Sequence, residues 1–312
     1  MFMVWKGVRM AEYIIKNEQL TLTVDTAGAE LVSVKSAAGR EYLFDADPKY
    51  WKRHSPVLFP FVGGVRGKEY RYQGVSYPMG QHGFARDMEF TFLSETETEA
   101  GKEIWFCLAA DEETKKKYPF DFVLRIGYRL KDNQVTALWE VENQGTADMP
   151  FSIGAHPAFY CPEKPEAGET PDPAPRTEYE LRFDTKEPIS FYLLKDGLAV
   201  PEVTETLAQS ETGAAPLVEG IFDRDALIVD GNQAHQVCLA KKGEEPYVTV
   251  DFDAPLFGLW SPPGTDVPFV CIEPWFGRCD AHDFTGTLEE REYGQCAAPG
   301  ETKAYSYRMT FA

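Results

Sequence analysis

Residues 20–44 read Leu-Thr-Leu-Thr-Val-Asp-Thr-Ala-Gly-Ala-Glu-Leu-Val-Ser-Val-Lys-Ser-Ala-Ala-Gly-Arg-Glu-Tyr-Leu-Phe. Three short apolar-rich runs in this stretch, at 20–24, 30–35 and 41–44, are separated by turns that contain glycine. The first run alternates strictly between apolar and polar residues, and this period indicates a β-strand. Short strands with closely spaced turn signals are typical of a sandwich or a barrel.

The same spacing of short strands continues to the end of the chain. Several of the later segments alternate in pairs, as antiparallel strands with one solvated face do. Helical periodicity is almost absent, apart from two segments, 47–52 and 111–117, that are each long enough for one turn. The sequence therefore predicts an all-β fold with few short helices. Further strand-like segments lie at 70–77, 89–93, 104–109, 120–130, 135–142, 179–183, 189–194, 247–252, 256–260, 269–272 and 302–311.

Composition limits the classes of partner that the protein can have. The chain has 312 residues, of which 43% are hydrophobic and 13% aromatic, and this is enough for a sizeable core. Its formal net charge of −19 at pH 7 makes the surface repel phosphate backbones and anionic lipid headgroups. No apolar run approaches the length of a membrane-spanning helix. We therefore expect neither a nucleic acid nor a membrane as partner.

The chain shows no internal repeat and no shift in composition, which predicts a single domain over residues 13–312. We interpret residues 1–12 as an N-terminal extension, with Met10 as a candidate for the true start. The proline-rich stretch 161–177 is interpreted as a surface insertion without regular structure. Six cysteines without a Cys-x-x-Cys pair, and an N-terminus too short for a signal peptide, favour a cytoplasmic protein with reduced thiols. We expect it to act as a monomer or a homodimer.

A carboxylate stands at the end of an apolar run in the stretch Pro268–Asp280. Residues 269–272 have the pattern of a buried strand, and Glu273 follows them. Strand alternation predicts that Phe269, Cys271 and Glu273 share one face and that Val270 and Ile272 share the other. Pro274 cannot donate to a sheet ladder, so the strand is expected to end there. An ionised glutamate in this place needs water, a partner or a ligand. Glu273 is therefore either a general base at the mouth of a sheet or a residue that caps a neighbouring loop.

A histidine stands at the corresponding position of a second strand, Phe151–Pro157. Ser152, Gly154 and His156 share one face, and the small side chains beside His156 leave room for a ligand. His82 lies in another glycine-rich stretch, where its imidazole can face a cleft. A histidine and a glutamate that face each other across a cleft suit proton transfer near neutral pH.

Other residues offer contacts rather than proton transfer. Arg53, Arg66 and Arg86 are local basic residues in a very acidic chain, although their charges can also be simply solvated. Five aromatic residues can stack on the apolar face of a sugar ring or belong to the core. These aromatic residues are Phe61, Phe84, Phe159, Trp260 and Trp275.

The sequence gives little support for a metal site. His82, His156, His235 and Glu273 are all possible ligands, but none has metal-ligand spacing such as His-x-His or His-Glu-x-x-His. Neither a nucleophile elbow nor a phosphate-binding glycine motif is present. We therefore expect no metal.

Four motifs occur in an order that is known from one family. They are Gln-His-Gly-Phe-Ala-Arg-Asp at 81–87, Gly-Ala-His-Pro-Ala-Phe at 154–159, Phe-Asp-Arg-Asp-Ala-Leu-Ile at 222–228 and Phe-Val-Cys-Ile-Glu-Pro-Trp at 269–275. Together they resemble the aldose 1-epimerase (galactose mutarotase-like) family, in particular its LacX-like branch, with the hexose-6-phosphate 1-epimerases as neighbours. The resemblance covers Tyr13 to Phe311 and implies a large antiparallel β-supersandwich.

The resemblance also implies an isomerase activity and roles for four residues. His156 matches the general acid that protonates the ring oxygen of the sugar, and Glu273 matches the general base that takes the anomeric hydroxyl proton. His82 matches a second site histidine that holds or polarises the sugar, and Asp225 matches an acidic residue that binds hydroxyl groups. The reaction needs no cofactor, because ring opening and closure require only proton transfer.

One departure from the family leaves the substrate open. Galactose mutarotases carry Gly-Arg-x-x-Asn-Arg-Ile before the first histidine, whereas residues 59–66 here read Phe-Pro-Phe-Val-Gly-Gly-Val-Arg. Arg53 and Arg66 are both candidates for the substrate-binding arginine. The expected substrate is a hexose or a related sugar, and a hexose 6-phosphate is the alternative. A non-catalytic sugar-binding protein is the third hypothesis, against which the presence of both His156 and Glu273 argues.

Overall fold

The computed structural model describes residues 11–170, 174–263 and 267–312. Within them the only α-helix is α1, Glu112–Lys115, and 3₁₀ turns occur at Arg66–Lys68, Ala85–Asp87, Arg176–Glu178 and Leu288–Glu290. The strands are β1 Glu12–Lys16, β2 Leu20–Asp25, β3 Glu30–Ser36, β4 Val57–Leu58, β5 Glu69–Tyr72, β6 Val75–Pro78, β7 Thr91–Thr98, β8 Gly101–Ala109, β9 Phe122–Lys131, β10 Gln134–Asn143, β11 Met149–Phe151, β12 Ile153–Ala155, β13 Ala158–Tyr160, β14 Tyr179–Phe183, β15 Ser190–Lys195, β16 Leu198–Thr206, β17 Ala215–Pro216, β18 Leu227–Val229, β19 Gln236–Lys241, β20 Val248–Phe252, β21 Leu256–Trp260, β22 Phe269–Phe276, β23 Gln295–Ala297 and β24 Thr302–Phe311.

Two large antiparallel sheets form the body of the protein. One sheet has nine strands in the order β17-β14-β19-β20-β24-β10-β9-β8-β7. The other has eight strands in the order β16-β15-β18-β21-β22-β12-β4, with β13 also paired to β22. Smaller sheets are formed by β1-β2-β3, by β5-β6 and by β11-β23. The predicted all-β supersandwich with few helices is therefore confirmed.

The main core contains side chains from both large sheets. Trp139 on β10 and Met309 on β24 belong to the same buried cluster as Leu259 on β21 and Ile272 on β22. This cluster runs from Ile15 near the start of the chain to Phe311 near its end, and on this ground we propose that residues 13–312 act as one domain. Of the predicted N-terminal extension, residues 1–10 lie outside the described residues. Among the residues that are described, no helix is long and apolar enough to cross a membrane.

The eight-stranded sheet is covered on both faces, and this explains the near-continuous apolar pattern of β22. Val270 and Ile272 face the main core, whereas Phe269 and Cys271 face a second cluster on the other side of the sheet. The predicted alternation along this strand is therefore confirmed. By the same alternation Glu273 points away from the main core, toward the side that holds the cavity described below.

The prediction that Pro274 ends the strand is wrong, because β22 continues to Phe276. On one side β22 pairs with β13 through residues 269–271 and with β12 through residues 275–276. Ile272 N–H points to that side, where it reaches Pro157 O at 3.4 Å, and Pro274 two residues later faces the same side. The interruption between β12 and β13 leaves Pro274 without a ladder partner there, so the sheet loses no hydrogen bond to proline.

Candidate active site

His156 and Glu273 meet in a cavity of about 390 Å³ above the eight-stranded sheet. His156 Nε2 lies 3.3 Å from Glu273 Oε2. Both residues are buried, with only 7% and 1% of their surface exposed. Neither Glu273 oxygen has a hydrogen-bond partner among the residues that the structure describes, and the same holds for His156 Nδ1. The two side chains are therefore close together, shielded from bulk water and free to bind a ligand.

His156 lies at an interruption of the eight-stranded sheet. β12 ends at Ala155 and β13 begins at Ala158, so His156 and Pro157 lie between the two strands. His156 N–H donates to Pro56 O at 3.1 Å, which joins this corner to the segment that precedes β4. The small residue Gly154 also matters here, because a Cβ at that position would meet the Trp275 ring at 2.7 Å. The packing of Trp275 thus requires glycine at position 154, so the ring occupies the space that the sequence predicted for a ligand.

His82 is held by reciprocal hydrogen bonds with Gly63. His82 N–H donates to Gly63 O at 2.9 Å, and Gly63 N–H donates to His82 Nδ1 at 3.1 Å. Burial lowers the pKa of His82 well below its usual range, and the nearby His156 and Arg86 add to this effect. The ring is therefore neutral with its proton on Nε2, because Nδ1 is an acceptor. His82 consequently offers an N–H donor to a ligand in the cavity.

The backbone at His82 and Gly83 is left-handed, with φ values of 65° and 70°. A Cβ at Gly83 would lie 2.2 Å from Phe59 O. Gly74 has a similar φ of +79° but no neighbour within 4 Å of its Cβ position. Glycine at 83 is therefore required by close backbone approach as well as by conformation.

We expect Gly83→Ala to destabilise the protein more than the matched control Gly74→Ala. The control should lower the free energy of unfolding by about 1–2 kcal/mol, the cost of a left-handed alanine. Gly83→Ala should lose roughly 1–3 kcal/mol more through the clash. Urea unfolding of both variants measures the difference, and equal losses would show that Phe59 O does not restrict this position.

Two tryptophans pack against the catalytic candidate His156. The Trp51 ring stacks on the imidazole with centroids 4.7 Å apart, and the Trp260 ring meets it edge-on at 5.3 Å. Because His156 Nδ1 has no hydrogen-bond partner among the described residues, these ring contacts hold the imidazole in place. They also form an apolar wall of the kind on which a sugar ring stacks.

Two arginines and an aspartate complete the polar lining. Arg86 Nη2 donates to Gln81 O at 3.0 Å, and its Nε is buried without a partner among the described residues. Burial and the neighbouring Arg53 lower the pKa of Arg86 to about 10. Arg53 is more firmly tied, because its Nη2 lies 2.5 Å from the Asp87 carboxylate. Asp225, in a left-handed conformation before β18, faces the same cavity.

Burial dominates the acid–base properties of the central pair. It raises the pKa of Glu273 well above its usual range, and the charge of Asp225 raises it further. It lowers the pKa of His156 to about 3, and the charge of Arg86 contributes to this shift. The uncharged forms of both groups are thus favoured, so that the pair carries one labile proton. Such a pair can donate a proton to one atom and accept a proton from another.

The structure brings most of the predicted site residues together, but not all. His82, His156, Glu273, Asp225, Arg53 and Trp260 line the cavity. Arg66 lies elsewhere, and this corrects its prediction as a substrate-binding candidate: its Nε donates to His282 O at 3.0 Å, and it lines a separate groove. Its guanidinium also donates from Nη1 to Phe284 O at 3.3 Å, and Arg66 N–H donates to the Asp280 carboxylate at 2.8 Å.

Several other residues that the sequence offered as ligand contacts do not line the cavity. The aromatic residues Phe61, Phe84 and Phe159 belong to the main core. His235, considered as a metal ligand, is bound to Phe252 O through Nδ1 at 3.2 Å and does not line the cavity. Trp51 was missed by the sequence analysis. Its position at the start of a segment interrupted by proline and glycine, residues 51–67, was the available signal.

Comparison with known proteins found related sequences and structures. The sequence model of the aldose 1-epimerase family matches residues 12–286. The chain is 31% identical to the LacX protein of Lactococcus lactis subsp. lactis, over 95% of this chain and 98% of that protein. It is 30% identical to an Escherichia coli (strain K12) protein provisionally assigned as a glucose-6-phosphate 1-epimerase, over 38% of this chain and 39% of that protein. Among solved structures, a galactose mutarotase related enzyme from Lactobacillus acidophilus superposes with a TM-score of 0.85 at 34% identity, over 97% of both chains.

Proposed function

The chain belongs to the aldose 1-epimerase family, and from this premise we propose that it interconverts the α and β anomers of a hexose or a related sugar. The observation that carries the proposal is the 3.3 Å contact between His156 Nε2 and Glu273 Oε2 in a buried cavity. The ring oxygen and the anomeric hydroxyl of an aldose are bonded to the same carbon. An acid and a base this close together can therefore reach both oxygens at once.

The reaction then follows from the single labile proton of the pair. Proton transfer from Glu273 to His156 gives a carboxylate and an imidazolium, which are a base and an acid. The Glu273 carboxylate removes the anomeric hydroxyl proton, the carbonyl forms, the bond from the anomeric carbon to the ring oxygen breaks, and His156 protonates that oxygen. After rotation of the aldehyde group the ring closes on the other face, with the two residues in exchanged roles. Each cycle returns both protons, so no cofactor is required.

The rest of the cavity supports binding of the sugar. The Nε2–H of His82 is available as a donor to a sugar oxygen, and the Asp225 carboxylate as an acceptor for hydroxyl groups. Trp51 and Trp260 offer apolar ring faces and edges beside the acid. The six cysteines are free thiols, which supports a reducing compartment, the cytoplasm, as the location.

A second candidate, a hexose 6-phosphate 1-epimerase, is favoured by one specific observation. Arg86 carries a positive charge into the cavity, and no ion pair ties its guanidinium to a carboxylate among the residues that the structure describes. A buried guanidinium without a carboxylate partner is suited to a phosphate group. The relative from Escherichia coli is consistent with this candidate, although it matches only part of the chain.

We expect Arg86→Gln to lower kcat/KM for glucose 6-phosphate about 10–100-fold more than for glucose, the usual contribution of a hydrogen bond to a charged group. Arg66→Gln is the matched control, since Arg66 lies outside the cavity. Anomer exchange followed by NMR gives both constants for wild type and variants. If Arg86→Gln changes the two sugars equally, the second candidate is excluded and the substrate is unphosphorylated.

A further inference from the structure

A third potential metal ligand lies beside the acid–base pair. Cys271 precedes Glu273 by two residues on β22, so the two side chains point to the same side of the sheet. One ligand atom from each of His156, Cys271 and Glu273 can be chosen so that all three lie within 4.8 Å of one another. All three side chains are buried. Sequence spacing did not predict this cluster, because His156 lies between β12 and β13, far along the chain from Cys271 and Glu273 on β22.

The geometry fits a tetrahedral metal ion with only a small adjustment. Zinc bonds of about 2.0–2.1 Å to nitrogen and oxygen place those two atoms about 3.3 Å apart in a tetrahedral site. The observed separation of His156 Nε2 and Glu273 Oε2 is 3.3 Å. Since neither Glu273 oxygen has a geometrically formed hydrogen bond among the described residues, a metal ion would mainly replace the contact between His156 and Glu273. The Cys271 thiol needs to approach by about 1 Å to complete three ligands.

The chemistry of the three ligands selects the type of cation. A thiolate, an imidazole and a carboxylate form a set that Zn²⁺ and Co²⁺ accept, whereas Mg²⁺ and Ca²⁺ prefer oxygen ligands. Zn²⁺ with one thiolate, one carboxylate and a neutral imidazole has no net charge, as a buried site requires. The thiol proton, and the proton that the acid–base pair shares, leave when the ion binds.

The surroundings set the expected affinity. Asp225 lines the same cavity as Glu273, and its negative charge favours a cation there. The positive charge of Arg86 opposes a cation. A metal-bound histidine is usually oriented by an acceptor on its other ring nitrogen, and His156 Nδ1 has no such acceptor among the described residues. The absence of such an acceptor typically weakens a metal site by about 10–100-fold. The site is therefore suited to reversible binding.

We propose that His156, Cys271 and Glu273 form a binding site for Zn²⁺ or a similar borderline cation, whose occupation blocks the acid–base pair. The fourth position of the ion opens into the cavity, where water completes the tetrahedron. A bound ion takes the lone pairs that His156 and Glu273 need for proton transfer. Zinc and sugar should consequently compete for one site.

The first test uses the unmodified protein and does not depend on turnover. Titration of the metal-free protein with Co²⁺ should give intense tetrahedral d–d bands and a near-ultraviolet thiolate-to-cobalt charge-transfer band, both of which Zn²⁺ displaces. Saturating sugar should suppress these bands. Absence of the charge-transfer band would overturn the proposal, and so would bands that stay unchanged in the presence of a sugar that binds the metal-free protein. This result is distinct from failure of the proposed function, which concerns exchange of anomers in the absence of metal.

The second test identifies the thiol. Zn²⁺ should inhibit anomer exchange competitively with sugar, and Cys271→Ser should raise its inhibition constant about tenfold or more, as loss of a metal ligand does. Each inhibition constant is taken relative to the variant's own zinc-free rate. The control Cys296→Ser removes an exposed thiol and should leave the constant unchanged, while Mg²⁺ should not inhibit. Equal zinc sensitivity of wild type and Cys271→Ser would contradict the assignment.

Discussion

Glu273→Gln is expected to slow anomer exchange by about 10²–10⁴-fold, the usual contribution of a general acid or base. The glutamine keeps the shape of the side chain but cannot accept the proton of the anomeric hydroxyl. The loss should appear in kcat, whereas binding of the sugar should change little, because the lost interaction forms only in the transition state. NMR measurement of exchange at several sugar concentrations separates the two constants.

The same variant provides its own control for folding. Burial raises the pKa of Glu273 well above its usual value of 4.5. Above that value the unfolded chain releases the proton while the folded protein retains it, so stability falls as pH rises toward the folded pKa. Glutamine has no carboxyl proton and therefore lacks this pH-dependent loss of stability, so the variant should be more stable than wild type at pH 7. A variant that is both inactive and less stable would point to lost structure instead of lost chemistry.

His156→Gln is expected to slow exchange on the same scale, about 10²–10⁴-fold. Because the acid and the base act as one pair, the double variant with Glu273→Gln should be hardly slower than either single variant. If the rate loss of the double variant equals the product of the two single losses, His156 and Glu273 act independently. The exchange rates of wild type, both single variants and the double variant complete this cycle.

The pH dependence of stability offers a readout specific to His156. Burial lowers its pKa from the usual value of 6.5 to about 3. Above pH 6.5 neither the folded nor the unfolded state binds the proton, so His156 does not change the pH dependence of stability there. Between pH 6.5 and about 3 the unfolded chain binds a proton that the folded protein excludes, so stability is lost progressively as pH falls. His156→Gln should reduce the slope of unfolding free energy against pH in this window.

Local sequence patterns predicted the fold and selected two residues, His156 and Glu273, that line one cavity, because these patterns are properties of single strands. Alternation placed Glu273 and Cys271 on one side of β22, away from Val270 and Ile272. His156 lines the cavity, but the space beside it at Gly154 is filled by the Trp275 ring and not by a ligand. The prediction that Pro274 ends the strand was wrong because the effect of a proline depends on which strand lies beside it. Here the gap between β12 and β13 accommodates Pro274.

The remaining features depend on contacts between distant parts of the chain, which local patterns do not encode. Sequence patterns do not distinguish Arg53 from Arg66, yet hydrogen bonds to the distant carbonyls of residues 282 and 284 hold the Arg66 guanidinium in another groove. Trp51 reaches His156 through a loop, and no periodicity gives the direction of a loop side chain. The hydrogen bonds between His82 and Gly63 likewise join segments whose approach follows from tertiary packing.

The most direct test of the central claim is magnetisation transfer between the α and β anomers at equilibrium. Glucose, galactose and glucose 6-phosphate would each be measured with wild type, with Glu273→Gln and without protein. We expect wild type to accelerate exchange of at least one sugar and Glu273→Gln to return it almost to the uncatalysed rate. Binding of these sugars without acceleration by wild type would contradict the epimerase account and identify the protein as a sugar-binding module.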